Sequence, residues 1–440
     1  RFGGASFGLG TSAVHAGYGF SGTGNTSVSL LVSHAVAVSE QVPVVVHLSL
    51  PHLNTSQHSV PALLNISMID TNGSIAARQK QLQSSFISSV LASTPSSAIP
   101  SILTAADRSF GAAVAVLGDI DSSGTLDFTV GLPNYSSSGA IVRLFVSDSS
   151  TPLESSAVLV PAPPSAEASA AFGYSICAHG NLNDDSLVDV IIGAPGQTSS
   201  RGAVFFWELG SDITSTVHQE IVAGPIAGQR YGSACAVIGD INGDGRSDVA
   251  IGAPGLRGSS EGAVYVRITG LHGLALAEAG QAGPASATAM AGFGTSLAAI
   301  GDANMDGIVD LAIGEPDTDV ASTAAGCILL AFLAADGTVA AAQLLNDSSH
   351  TPLMAVRAFP SEGWASSLSS VGDCNGDGYA DLLVGAPGLS GRRGGFDLLL
   401  LGPHGSVIGA RHFSSDLSGR SSSSFLSSGG AFGSAVSPVG

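Results

Sequence analysis

The chain is a succession of short apolar runs separated by clusters of Gly, Pro, Ser and Asp. One stretch reads "YGSACAVIG", then a polar acidic segment, then "DVAIGAP", then "GAVYVRI" (Gly262–Ile268). Short apolar runs bounded by turn residues predict strands. The third run has counterparts in "GAIVRLF", "GAVFFWEL", "GCILLAFL" and "GGFDLLLL". A fourth follows a glycine-containing turn, as in "ADGTVAAAQLL" and "PHGSVIGARHF". No helical period is sustained. Four runs joined by hairpins predict a four-stranded antiparallel sheet, and such a sheet repeated about a ring is a propeller blade.

The polar segment between the first and second runs recurs five times. Its copies begin at Gly118 ("GDIDSSGTLDFTVGLP"), Gly180 ("GNLNDDSLVDVIIGAP"), Gly239 ("GDINGDGRSDVAIGAP"), Gly301 ("GDANMDGIVDLAIGEP") and Gly372 ("GDCNGDGYADLLVGAP"). Ahead of each, at one constant distance, stands an aromatic: Phe110, Phe172, Tyr231, Phe293 and Trp364. Glycine follows it in the first four copies and Ala365 in the last. A fixed interior with variable connections marks a repeated structural unit. The ends fit the same ruler. "SFGLGTSAV" (Ser6–Val14) resembles a first strand, "DTNGSIAARQKQL" a third-to-fourth turn, and "AFGSAVSPVG" another first strand. The expectation is one all-β propeller over residues 1–440. Unit one, at 7–109, is degenerate and lacks metal ligands; its length leaves room for an insertion or a second degenerate blade. Units two to six run 110–171, 172–230, 231–292, 293–363 and 364–431. Residues 432–440 are the first strand of a further unit. A chain that opens and stops inside repeats is expected to be a piece of a longer precursor.

Within each copy, oxygen-bearing side chains alternate. Positions 1, 3, 5 and 9, with the backbone carbonyl of position 7, can wrap one hard cation, and Ca²⁺ takes oxygen ligands in flexible geometry. Glycine at position 6 allows the left-handed bend. The ligand sets are Asp119, Asp121, Ser123 and Asp127 in unit two; Asn181, Asn183, Asp185 and Asp189 in unit three; Asp240, Asn242, Asp244 and Asp248 in unit four; Asp302, Asn304, Asp306 and Asp310 in unit five; and Asp373, Asn375, Asp377 and Asp381 in unit six. The position-7 carbonyls belong to Thr125, Leu187, Arg246, Ile308 and Tyr379. Up to five Ca²⁺ sites are expected. Unit three is the weakest, because Ser186 replaces the glycine and two carboxylates remain. No Glu closes the loop at position 12, so this is not an EF-hand.

Composition sharpens this picture. The net charge is −19 and the chain has 34 Asp and Glu. Each ligand set holds three carboxylates except the third, which holds two; together they account for 14 of the 34. Close carboxylates repel without a counterion, which predicts metal-dependent stability. A chain with one lysine, Lys80, is a poor nucleic-acid binder. "VPVVVHLSL" and "FDLLLLG" are strand-length, well short of the roughly 20 residues of a membrane-spanning helix. A membrane link is therefore expected only through a segment outside this chain.

The pattern "FG…GD-x-N-x-D-G-x-x-D-hhh-GAP" resembles the FG-GAP repeat of integrin α-subunit head domains, over about residues 110–440. The resemblance implies a seven-bladed propeller. It also implies Ca²⁺ in the hairpin between the first and second strands of certain blades, and an extracellular role in adhesion or protein contact. Integrin-style ligand recognition does not carry over, since no inserted ligand-binding domain is present.

The aromatics read as packing between blades. The eleven histidines show no metal spacing and no nearby Ser/Asp partner in sequence, and no catalytic constellation is visible, so a non-catalytic module is expected. Its partners would be an extracellular protein or glycan, or copies of itself. The alternatives are a structural glycoprotein that self-assembles into filaments or matrix, and, third, an accessory domain of a secreted hydrolase. The sequons at Asn25, Asn54, Asn65, Asn72, Asn134 and Asn346 suit a secreted or cell-surface glycoprotein. Arg392 and Arg393 are the one basic pair in a loop on the face away from the acidic segments. Of Cys177, Cys235, Cys327 and Cys374, the last two are the first pairing expected; unpaired core cysteines are the competing reading.

Overall fold

The computed structural model describes the backbone of residues 26–36, 40–50, 63–69 and 75–76. It further describes residues 109, 111–120, 126–146, 155–183, 185, 187–209, 216–255, 262–273, 275–282, 292–316, 319–320, 323–324, 326–345, 363–388, 394–414, 433–436 and 438–439. The N-terminal strands are β1 (Thr26–Val36), β2 (Glu40–Leu50), β3 (Leu63–Ile69) and β4 (Ile75–Ala76). Units two to six then fold as predicted, each into one four-stranded antiparallel sheet in chain order.

Blade two comprises β5 (Val114–Gly118), β6 (Asp127–Leu132), β7 (Ala140–Val146) and β8 (Ser155–Pro161). Blade three is β9 (Ile176–Gly180), β10 (Asp189–Ala194), β11 (Ala203–Leu209) and β12 (Thr216–Ala223). Blade four is β13 (Ala234–Gly239), β14 (Asp248–Ala253), β15 (Ala263–Thr269) and β16 (Ala275–Ala282). Blade five is β17 (Ser296–Ala299), β18 (Leu311–Glu315), β21 (Cys327–Leu333) and β22 (Val339–Leu345), with a small hairpin, β19 (Asp319–Val320) and β20 (Thr323–Ala324), between its second and third strands. Blade six is β23 (Ser367–Gly372), β24 (Asp381–Ala386), β25 (Gly395–Leu401) and β26 (Val407–Ser414), and β27 (Pro438–Val439) follows.

The seven-bladed expectation is overturned: the described residues form five such blades. The N-terminal strands make a mixed sheet of order β27-β1-β2-β3-β4 instead of further blades. Its two leading strands have 11 residues each, against 4–8 in the strands of blades two to six outside the small hairpin. Its edge strand β27 runs parallel to β1, with Leu31 opposite Pro438.

Two glycines of the repeat explain how blades stack. Gly131, Gly193, Gly252, Gly314 and Gly385 lie near the ends of the second strands. A Cβ there would come within 2.0–2.4 Å of the carbonyl oxygens of Gly173, Gly232, Gly294, Ala365 and Gly433. Those five residues, at the next unit's FG position, are all left-handed, with φ of 89°, 86°, 84°, 66° and 84°. The FG glycine of one unit therefore seats its carbonyl on the GAP glycine of the unit before. Ala365 adopts the same bend at the steric cost of a Cβ. Ser175, Ser296 and Ser367 hydroxyls donate to the carbonyls of Gly232, Ala365 and Gly433.

Between the sheets lie apolar clusters, each made by two successive blades. Phe172, Tyr231, Phe293 and Trp364 are buried in them, as interblade packing requires; Phe110 lies outside the described residues. Where the aromatic carries a polar handle, an acid meets it. Trp364 Nε1 donates to Asp397 at 2.8 Å, and the Tyr231 hydroxyl donates to Glu278 at 3.4 Å.

The cysteine expectation is also corrected. Cys177 in β9 and Cys235 in β13 form a disulfide, with Cα atoms 6.1 Å apart. Sequence separation hid this, because the partners stand 58 positions apart, one full blade. Cys327 and Cys374 cannot pair: the first is buried within β21, where its thiol donates to Glu315, and the second is exposed on a loop.

Candidate metal centre

The five acidic loops join the first and second strands of successive blades and stand side by side on one face. A side chain at Gly118, Gly180, Gly239 or Gly301 would touch Val188, Ser247, Val309 or Ala380 of the following loop at 3.8–3.9 Å. Arg246 Nη1 of loop four donates to the Leu182 carbonyl of loop three at 3.2 Å. The Tyr379 hydroxyl of loop six reaches Met305 Sδ of loop five at 3.6 Å.

Each loop divides into two parts. Position 9 is wholly buried in all five: Asp127, Asp189, Asp248, Asp310 and Asp381. Its carboxylate staples the loop to the sheet. Asp248 Oδ2 accepts from Ile241 N at 3.0 Å, and Oδ1 accepts from Thr269 N, at the end of the third strand, at 2.8 Å. Asp189 does the same with Leu182 and Leu209, Asp310 with Ala303 and Leu333, and Asp381 with Cys374 and Leu401. Asp127 accepts from Ile120 N. Burial pushes these carboxyls up, to about 6 for Asp189, Asp310 and Asp381, and above the usual range for Asp248; the amide hydrogen bonds oppose the shift.

Positions 1, 3 and 5 form the outer part. In loop four, Asp240 Oδ1 accepts from Asp244 N at 3.0 Å and Oδ2 from Gly245 N at 2.7 Å. Asn242 Oδ1 accepts from Asp244 N, while Asn242 Nδ2 donates to Asp244 Oδ2 at 2.9 Å. Loops five and six repeat this with Asp302, Asn304 and Asp306 and with Asp373, Asn375 and Asp377. Amide hydrogen bonds, led by Gly378 N–H, hold Asp373 below the usual carboxylate range. Position 6 is left-handed glycine in all three, with φ of 89°, 91° and 93° at Gly245, Gly307 and Gly378. Position 4 is left-handed as well, at Gly243, Met305 and Gly376, a requirement the sequence reading did not identify.

Loop three differs. Asn181 Oδ1 accepts from Asn183 N and Asp185 N, and Asn183 Nδ2 still donates to Asp185 Oδ2 at 3.0 Å. Arg246 and the His272 backbone N–H both donate to the Leu182 carbonyl, and the His272 ring shares a 2.5 Å hydrogen bond with buried Glu208. In loop two, Asp121, Ser123 and Thr125 lie outside the described residues.

The four predicted side-chain ligands of a loop therefore do not converge as equals. Among the described residues no group of three or more His, Cys, Asp or Glu gathers for a metal. The reason is visible in loop four: Asp248 turns inward to two backbone amides, leaving Asp240, Asn242 and Asp244 outside. That outer set fits a hard cation chemically. It is all oxygen, it lies on one tight turn, and the Asn242 amide hydrogen already meets the charge of Asp244 that a cation would neutralise.

Spacing alone missed two histidine–acid pairs made by strand register and blade contact. His412 Nδ1 meets Asp397 Oδ1 at 2.6 Å across β25 and β26, and His272 meets Glu208 across two blades. Asn134 is exposed at a turn and Asn65 lies within β3. Asn25, Asn54, Asn72, Asn346, Arg392 and Arg393 lie outside the described residues.

Known proteins carry the same pattern. The FG-GAP repeat family matches at residues 232–266 and 364–396, which are parts of blades four and six. Integrin alpha-5 of Xenopus laevis is 36% identical over 169 residues, covering 36% of this chain and 15% of that protein. Integrin alpha-PS5 of Drosophila melanogaster is 34% identical over 160 residues, 34% of this chain and 15% of that protein. Integrin alpha-3 of Cricetulus griseus is 29% identical over 225 residues, 49% of this chain and 19% of that protein. The chain is an FG-GAP propeller that resembles integrin α subunits, and the matched part spans less than a fifth of each of these relatives.

Proposed function

We propose that this chain is a non-catalytic, extracellular adhesion or protein-interaction module whose blades are locked by Ca²⁺. One observation carries the reading: acidic loops of one design stand side by side on one face, each anchored at its inner end by a buried aspartate. Units four, five and six would hold Ca²⁺ through Asp240, Asn242 and Asp244, through Asp302, Asn304 and Asp306, and through Asp373, Asn375 and Asp377. The carbonyls of Arg246, Ile308 and Tyr379, and the position-9 carboxylates Asp248, Asp310 and Asp381, complete the sets. Asp119 to Asp127 form a fourth candidate set. The ion supplies charge neutralisation and fixes the turn from which the second strand starts.

The Cys177–Cys235 disulfide suits an oxidising, extracellular compartment. No helix among the described residues is long and apolar enough to cross a membrane. The likeness to integrin α subunits supports a protein partner, and the acidic face disfavours nucleic acid. Calorimetric Ca²⁺ titration of the metal-stripped chain, with melting curves in Ca²⁺ and in EDTA, tests the metal reading. No heat of binding and an unchanged melting temperature would sink it. Capture of extracellular-matrix proteins on the immobilised Ca²⁺-loaded chain tests the contact role, and capture unaffected by Ca²⁺ would separate the two.

A further inference from the structure

Four times in this chain the forward flank of one blade is sealed by the next. Forward-facing residues of the third strands are buried: Val204 and Phe206, Val264 and Val266, Ile328 and Leu330. The position-2 residues Ile120, Leu182, Ile241 and Ala303 are buried too, and turns of the following blades donate to two of their carbonyls, from His272 and His404 N–H. Blade six breaks the pattern along half its flank. Near the strand-two end the usual junction forms, with the Gly433 carbonyl against Gly385. Toward the acidic loop it is open: Leu398 and Leu400 are half-buried, Cys374 is exposed, and a side chain at Gly372 would meet nothing within 4 Å. The backward flank of blade two is its counterpart. Phe128 there is half-buried, where Val190, Val249, Leu311 and Leu382 of the later blades are buried.

The chain before blade two and the chain after blade six meet in one place, the mixed sheet. β27 follows the Gly433 junction, lies beside β23 and pairs with β1. Strand register also gives this sheet a two-faced character. Val28, Leu30 and Val32 of β1 stand opposite Leu48, Val46 and Val44 of β2, which stand opposite Leu64, Ile66 and Met68 of β3, so one face is apolar in sequence across its middle, with Thr26, His34 and Glu40 at its ends. The intervening positions of β1 include Ser27, Ser29 and Ser33. The apolar middle of such a sheet needs an apolar surface to rest on, and blade six has one unsealed.

We propose that the N-terminal sheet β1–β4 is the wedge that seals the open flank of blade six, with β27 as the hinge strand that brings it there. The chain thereby closes on itself through a sheet that is not a repeat of the blades. The occupant is the chain's own N-terminal segment, not a second copy.

The full chain tests this without mutation. Benzophenone-maleimide coupled to the exposed Cys374 thiol should, on irradiation, cross-link to residues 26–76 of the same molecule, read by mass spectrometry on a mixture of isotopically light and heavy protein. Cross-links only between light and heavy copies, or none to residues 26–76, would overturn the proposal. Leu398→Glu supplies the second reading. Amide exchange in β1–β3 should rise by about tenfold or more while β9–β18 keep their protection. Unchanged exchange in β1–β3 would likewise overturn it.

Discussion

Loop four (Asp240–Asp248) and loop three (Asn181–Asp189) are neighbours built on one ruler, and they have taken different routes to the same end. Both bury a position-9 aspartate on two backbone amides. Loop four then presents two outer carboxylates, Asp240 and Asp244, and two left-handed glycines, Gly243 and Gly245. Loop three presents one outer carboxylate, at Asp185, and its Leu182 carbonyl accepts from the Arg246 side chain of loop four. The inner staple is thus common to the two hairpins, and the outer positions are where they differ.

The largest effect is expected where the two blades are joined covalently. Cys177 and Cys235 close a loop of 58 residues, for which the chain-entropy model gives about 4 kcal/mol of stabilisation. The double variant Cys177→Ala/Cys235→Ala should lose about that much in urea unfolding. A loss below about 1 kcal/mol would mean that the Gly193–Gly232 junction holds blades three and four together without the bond.

Next come the staples. Asp248→Ala leaves two buried amides, of Ile241 and Thr269, without an acceptor, a cost of about 3 kcal/mol. Asp189→Ala should cost about the same through Leu182 and Leu209. Equal losses measured in EDTA would establish that the staple acts without metal. A loss confined to Asp248→Ala, and only in Ca²⁺, would make position 9 a metal ligand first.

That division was only partly legible in the sequence. The five repeats, the four strands per unit and the acidic turn followed from periodicity, because each is a local pattern. The FG and GAP glycines were legible as a motif, but their purpose was not, since the carbonyl that needs Gly193 belongs to Gly232, one blade later. The Cys177–Cys235 bond and the His412–Asp397 pair were hidden for the same reason: blade stacking and strand register set their partners. Spacing did not reveal that backbone amides hold position 9, because it does not say which way a side chain turns. Asp248 turns into the sheet. The blade count failed because seven came from the family resemblance, whereas the long strands Thr26–Val36 and Glu40–Leu50 pair with each other in a sheet of another order.

Metal dependence should separate the two loops more gently. A single site with free Ca²⁺ at 100 times its dissociation constant adds about 2.7 kcal/mol. Asp244→Ala should abolish one binding event in a calorimetric titration and remove a stabilisation of that order in Ca²⁺, with little change in EDTA. Asp185→Ala should leave the number of binding events unchanged. If Asp185→Ala also removes one event, loop three binds metal despite Ser186, and the contrast between the loops collapses.

The smallest effect concerns the borrowed arginine. Arg246 Nη1 donates to the Leu182 carbonyl, while its own backbone carbonyl is the proposed position-7 ligand of loop four. Arg246→Met keeps the backbone and much of the side-chain bulk and removes one partly buried hydrogen bond, so the loss should be about 0.5–1.5 kcal/mol. The same substitution should leave Ca²⁺ affinity at loop four within about twofold, because a carbonyl ligand does not depend on its side chain. The two readouts pull apart the roles of one residue. If unfolding stability is unchanged and Ca²⁺ affinity falls tenfold, the guanidinium is holding loop four in shape rather than capping loop three. The direction of borrowing between the neighbours would then be reversed.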